Sequence, residues 1–176
     1  MYLEADKFQY ARQAYDRLLE VRPNDVLALS MIAQMHHTKN DTAKAKRAYE
    51  RVLAVDPRAA VAANNLAYLY AESGENLDVA LSLAQMAKAA QPDDPDVNDT
   101  LGLVYLRRNL PALALEPVQQ SVKANPRNAL YQYRLGQVYL QLGETAKARA
   151  AFEQTLRLEP EFEHAADVRK ALAQIQ

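Results

Sequence analysis

By residue type, His36, His37 and His164 are the side chains best suited to acid–base chemistry or metal ligation. Neighbouring residues on a helix point about 100° apart, so His36 and His37 cannot close on one ion. No H-E-x-x-H pattern or nearby third ligand joins them. The acidic stretch Asp93-Asp94-Pro95-Asp96-Val97-Asn98-Asp99 superficially has the look of a calcium loop. Counted from Asp94, however, the obligatory glycine is Asp99 and the bidentate glutamate is Tyr105. Carboxylates there suit a helix N-terminus instead. The chain has no Cys, which removes disulfides, thiolate metal sites and Cys nucleophiles together. No G-x-S-x-G, glycine-rich phosphate loop or kinase-like signature occurs, and four glycines could hardly build one. No enzymatic activity, cofactor or metal is expected.

Whatever acts must therefore be a surface, and the composition says what builds it. Among 176 residues, 49% are apolar, with 32 Ala and 24 Leu against 3 Phe and no Trp. So few glycines argue against an all-β architecture. Lys plus Arg number 21 and Asp plus Glu 22, a near-balance without the basic footprint of a nucleic-acid binder. No apolar run approaches the roughly 18 residues of a membrane-spanning helix, so direct membrane insertion is not expected. Tyr2–Ala14 reads as a charged amphipathic helix and not as a signal peptide.

The chain repeats. Pro23, Pro57, Pro92, Pro126 and Pro160 fall 34, 35, 34 and 34 residues apart. An alanine lies 12 residues before each, at Ala11, Ala45, Ala80, Ala114 and Ala148. Leu101-Gly102-Leu103-Val104-Tyr105 recurs as Leu135-Gly136-Gln137-Val138-Tyr139, and Tyr15, Tyr49 and Phe152 follow their alanines by four. This pattern resembles the tetratricopeptide repeat family, over essentially the whole chain. The departures are local: His36 replaces a tyrosine, Ala84 and Val118 replace the aromatic, and the tryptophan column is missing. The resemblance implies an all-α fold, a right-handed α-solenoid of stacked antiparallel helix pairs.

The residues support the same fold independently. Each unit holds two apolar-periodic stretches of about a dozen residues, too long for strands. Gly74, Gly143, Asn40 and Asn109 stand between them, as residues that tolerate a left-handed helix end. Asn24, Asp25, Asp94 and Asn128 follow the prolines and can cap the next helix. Ala33, Ala67, Gly102 and Gly136 let paired helices approach closely. The helices expected are Asp6–Val21, Val26–Lys39, Thr42–Val55, Ala59–Ser73, Leu77–Ala90, Pro95–Arg108, Pro111–Ala124, Ala129–Leu142, Thr145–Leu158 and Glu161–Ile175. Pro111 fits a first turn, Pro117 should kink or open its helix, and the extra residue in Gly74–Leu77 should vanish into a turn. The units are a partial repeat at 1–25, full repeats at 26–59, 60–94, 95–128 and 129–162, and a polar capping helix at 163–176. Met1 falls partway through a repeat, as in a piece of a longer array. Tyr2, Leu3, Phe8 and Tyr15 are then left as an open apolar patch, a route to a homo-oligomer.

The resemblance also implies where binding occurs: on the concave wall formed by the first helix of each unit. The family's carboxylate clamp would need Lys, Asn and Arg where this chain has Ser30, Gln34, Asn65, Asp96 and Thr100; only Asn65 matches. In its place stands a wall of amides and tyrosines. The candidate peptide- or protein-binding residues are Asn64, Asn65, Tyr68, Asp99, Leu103, Tyr133, Arg134 and Gln137. Amides donate and accept as a peptide backbone requires, and Tyr68 and Tyr133 offer rigid platforms. Arg134 should favour an acidic ligand side chain. Ordinary solvated helix faces are the alternative. The expected function is a protein-interaction scaffold, and a likeness to bacterial members suggests secretion, polysaccharide export or envelope assembly. A self-assembling array and an accessory domain of a larger enzyme are the competing readings.

Overall fold

A computed structural model describes the backbone of residues 2–175 and the side chains of residues 8–175. Among these, the chain forms ten helices and no strand: α1 (Tyr2–Val21), α2 (Val26–Thr38), α3 (Thr42–Val55), α4 (Ala60–Ser73), α5 (Leu77–Ala90), α6 (Pro95–Arg107), α7 (Pro111–Ala124), α8 (Ala129–Gln141), α9 (Thr145–Leu158) and α10 (Ala165–Gln174). The eight inner helices lie within a residue of their expected bounds. The two outer ones differ: α1 starts earlier, at Tyr2, and α10 starts later, at Ala165.

The proline column has a local cause. In each phrase the residue before proline accepts a hydrogen bond from the amide three residues on. The pairs are Asp25 N to Arg22 O, Ala59 N to Asp56 O, Asp94 N to Gln91 O, Asn128 N to Asn125 O and Phe162 N to Glu159 O. Proline thus occupies the second position of a β-turn, where its fixed φ is already correct. In three turns the last residue also caps the next helix with its side chain. The side chains of Asp25, Asp94 and Asn128 accept from Ala28 N, from Asp96 and Val97 N, and from Tyr131 N. Turns inside each pair use left-handed residues: Asn40, Gly74, Asn109 and Gly143 have φ of 57°, 69°, 59° and 76°. The extra residue after Gly74 is absorbed as expected, with Asn76 taking a second left-handed conformation at φ 48°.

Packing is densest within the pairs α2/α3, α4/α5, α6/α7 and α8/α9, and each pair then rests on the next. Close approach depends on the small columns. Ala33, Ala45, Ala67, Ala80, Ala114 and Ala148 are all fully buried. A Cβ on Gly102 would lie 2.2 Å from Val118 Cγ2, and one on Gly136 would lie 2.5 Å from the Phe152 ring. α7 runs continuously through the buried Pro117, without the opening expected there. Ser121, one turn on, donates to Pro95 O at 2.7 Å and ties α7 to the start of α6.

The late start of α10 also has a cause. Residues 159–164 form two successive turns, with Phe162 N bonded to Glu159 O and Ala165 N to Phe162 O. They carry Phe162 into a cluster with Tyr133, Phe152 and Val168. α6 touches α4 and α8 directly, whereas the second helices of successive pairs have no comparable contact with one another. From α4 to α8 the first helices therefore crowd together on the inner side of the stack. Their exposed edges form its concave wall.

Candidate protein-binding groove

Equivalent positions on α2, α4, α6 and α8 carry Ser30, Asn64, Asp99 and Tyr133; then Met31, Asn65, Thr100 and Arg134; then Gln34, Tyr68, Leu103 and Gln137. Four of the eight candidates meet in one place. Asn64, Asn65, Tyr68 and Asp99 line a cavity of about 370 Å³ between α4 and α6, completed by His37, Val61, Gln91, Asp94, Asp96, Val97, Thr100 and Leu130.

The other four do not reach it, each for a physical reason. Leu103 is 1% exposed and belongs to the central core. Tyr133 is buried under the C-terminal turn, stacked on His164 at 5.0 Å and edge-on to Phe162 at 5.5 Å. It is a packing residue, not the open platform expected. Gln137 accepts from Arg134 Nη1 at 3.2 Å and lines a separate small cleft with Arg107 and Gln141. Arg134 is 2% exposed, with Nε and Nη2 donating to Asp99 Oδ1 and Oδ2 at 3.3 and 3.4 Å. An unpaired buried guanidinium would be costly, so the cation is satisfied inside the wall and not presented to ligand. The expected preference for an acidic ligand is corrected on this ground.

The polar groups around the cavity form short chains. Asn65 Nδ2 donates to Tyr49 Oη at 3.1 Å, and Tyr49 Oη donates to Gln34 Oε1 at 3.0 Å. Burial pushes the Tyr49 hydroxyl up to about 12, so it remains a donor. Asp96 accepts from the Tyr131 hydroxyl, and Asp94 caps α6. Burial pushes the Asp99 carboxyl up, and Arg134 opposes that shift. Burial also raises Tyr68, with Glu72 adding to it. His37 lies 5.9 Å from the Tyr68 ring, and burial lowers its pKa. Two buried side-chain atoms have no partner among the described residues: Asn64 Oδ1 and His37 Nδ1, both on cavity-lining side chains.

The remaining sequence candidates resolve simply. His36 does not fill an aromatic packing role. Its Nε2 lies 2.9 Å from Arg12 Nη1 and its Nδ1 lies 3.8 Å from Asp41. Among the described residues, no group of three His, Cys, Asp or Glu side chains is arranged to hold a metal. Sequence reasoning missed the covering of Tyr133 by residues 162–164 and the part played by Asp94. Phe162, an isolated aromatic just after the last proline, was the available signal for the first.

Family comparison settles the architecture. A tetratricopeptide repeat model matches residues 2–45, 38–95 and 100–175. The chain belongs to the tetratricopeptide repeat family. No curated protein matches its sequence. Among solved structures, MamA 41-end from Desulfovibrio magneticus RS-1 superposes with a TM-score of 0.75 at 20% identity, over 91% of this chain and 90% of that one. YrrB, a TPR protein with an unusual peptide-binding site, gives 0.71 at 21% identity over 93% and 82%. PilW, a type IV pilus biogenesis factor, gives 0.74 at 16% identity over 99% and 85%. These likenesses concern the fold. The tetratricopeptide repeat architecture supports a scaffold for protein–protein interaction with protein or peptide partners. No described helix is long and apolar enough to cross a membrane.

Proposed function

We propose that the chain is one tetratricopeptide repeat array that holds a peptide segment of another protein in the groove between α4 and α6. The observation that carries this reading is the 370 Å³ cavity lined by the amide side chains of Asn64, Asn65 and Gln91 and by Tyr68, with the buried Asn64 Oδ1 left without a donor. An unmet buried acceptor costs about 1–3 kcal/mol, and a ligand N–H would recover it. Tyr68 and the half-buried His37 supply a firm aromatic edge beside it. Bacterial secretion, polysaccharide export or envelope assembly is the setting we favour. PilW, a pilus biogenesis factor of the same fold, is compatible with it.

The test is a peptide display selection against the whole chain, with the selected binders measured calorimetrically on wild type, Asn64→Leu and Tyr68→Ala. Saturable binding weakened at least tenfold by either substitution is expected. Binding indifferent to both would place recognition on the second helices and refute the groove.

One further observation favours self-association as a second reading. Ala11, Tyr15 and Leu18 on α1 are only partly buried, although the equivalent Ala45, Tyr49 and Val52 on α3 are fully covered. Tyr10 on the same helix is 71% exposed. Phe8 lies under Lys39 Nζ, 4.1 Å from its ring centre, and the side chains of Tyr2 and Leu3 fall outside the described residues. Sedimentation should show association that weakens on Tyr15→Glu; a monomer at high concentration refutes it.

A further inference from the structure

We infer that the cavity between α4 and α6 is a subsite for the cationic head of a Lys or Arg side chain carried by the bound segment. This rests on the groove being the binding surface, and it adds the chemistry of what enters.

Three carboxylates, Asp94, Asp96 and Asp99, line the cavity, and no Lys or Arg does. Asp99 is compensated from behind by Arg134. Asp94 and Asp96 are not compensated. Asp94 Oδ1 accepts from the Asp96 and Val97 amides, and Asp96 Oδ1 accepts from Tyr131 Oη. Neither Oδ2 has a donor among the described residues, and neither carboxylate has an ion-pair partner there. Each keeps one open oxygen.

The second observation is independent of the charge. Asn64 is 9% exposed, and its Oδ1, which accepts no hydrogen bond, belongs to the same cavity wall. The subsite thus presents two open carboxylate oxygens, and its wall also holds one buried amide oxygen without a donor. A ligand group rich in N–H and without acceptors is the complement of such a wall, which describes an ammonium or a guanidinium. A carboxylate or phosphate ligand would meet two uncompensated negative charges. The aliphatic stem also has a place. Val61, 63% exposed, and the partly buried Leu130 border the cavity, and the Tyr68 ring lines its side. A Lys or Arg stem can lie along such surface with its head reaching the acids.

The experiment uses synthetic 12-residue peptides with randomised flanks, in four matched pools whose sixth residue is Lys, Arg, Gln or Glu. Pools are arrayed against the whole chain. The variants are Asp94→Asn/Asp96→Asn, Tyr68→Ala and Asn64→Leu. Asn is an equally good N-cap and still accepts from Tyr131, so the double variant removes charge while keeping the local bonds. The expected result is that Lys and Arg pools bind at least fivefold better than Gln and Glu pools. The double variant should then lose at least tenfold in affinity for them, and raised salt should weaken wild-type binding. Peptides of the Gln or Glu pools that bind as well as the basic ones, yet still weaken with Tyr68→Ala, overturn the cationic subsite and leave the groove standing. Binding unchanged by Tyr68→Ala and Asn64→Leu overturns both. Circular dichroism melting within a few degrees of wild type shows that each variant is folded.

Discussion

Replacing Asp99 by Leu strips the counter-charge from a guanidinium that cannot reach water. Arg134 donates to both Asp99 oxygens, at 3.3 and 3.4 Å, and both side chains are buried. Breaking such a pair from one side costs about 3–5 kcal/mol, because the other charge stays buried without its partner. Part of the loss is recovered here. Gln137 Oε1 remains at 3.2 Å from Arg134 Nη1, and Glu72 Oε1 lies 4.0 Å from Nη2. We therefore expect the lower end, about 3 kcal/mol, which for a chain of this size corresponds to a fall in Tm of roughly 6–12 °C. The double variant Asp99→Leu/Arg134→Leu removes both charges and should recover most of that loss, to within about 1.5 kcal/mol of wild type. Urea unfolding of all four members of the cycle gives the coupling directly, provided the m-value stays constant. A cost below about 1 kcal/mol for Asp99→Leu, or a double variant no better than the worse single one, would refute the buried pair.

Three further outcomes follow from the packing and the turns. Gly136→Ala drives a methyl into the Phe152 ring and should destabilise by about 1–3 kcal/mol in urea unfolding despite the better helix propensity of Ala. Gly102→Ala, against the buried and β-branched Val118, should behave alike; a neutral result for both would sink the close-approach argument. Gly74 has φ +69° with open space around it, so Gly74→Ala should cost about 1 kcal/mol from backbone strain and Gly74→Asn much less, read from the urea midpoint. His36 and His37 are both held below their usual pKa of 6.5, first by burial and for His36 also by Arg12. Their neutral forms stabilise the fold fully above that value, and the contribution is lost as pH falls through the lowered folded-state values. The urea midpoint should therefore drop between pH 7.5 and 5, and His37→Gln should flatten part of the drop; an unchanged slope would contradict the shift.

Fold legibility tracked how local the determinant was. The proline column is legible because a β-turn needs a fixed φ at its second position, and the five turns use it there. Asp25, Asp94 and Asn128 are legible as caps, and Asn40, Gly74, Asn109 and Gly143 as left-handed residues, because each role is set by its own few neighbours. The end of the chain is different. Pro160 sets the first turn locally, but Glu161–His164 carries helix-compatible residues, and there a second turn accompanies the tertiary contacts of Phe162 and His164 with Tyr133. Pro117 differs in the opposite sense: local chemistry argues for a kinked or opened helix, and α7 stays assigned through it while packing against α6 and α8.

The site was half legible, because a column names a position on a helix and not what that position faces. Asn64, Asn65 and Tyr68 could be placed on one face of α4 by spacing alone. Arg134 could not be read as satisfied without knowing its partner on the preceding first helix. That partner obeys a rule that the structure makes visible. Glu72 meets Arg107, Asp96 meets Tyr131 and Asp99 meets Arg134, and in each case the two residues are 35 apart. An interval of 35, one period or one residue more, carries the chain from a first helix to the next, so opposite charges so spaced, as in Glu72–Arg107 and Asp99–Arg134, annul each other across the wall. Applied along the sequence, the rule leaves Asp94 opposite Ala129 and Asp96 opposite a neutral tyrosine. Those two carboxylates have no cation opposite them, and the sign of the groove follows from them and not from Arg134.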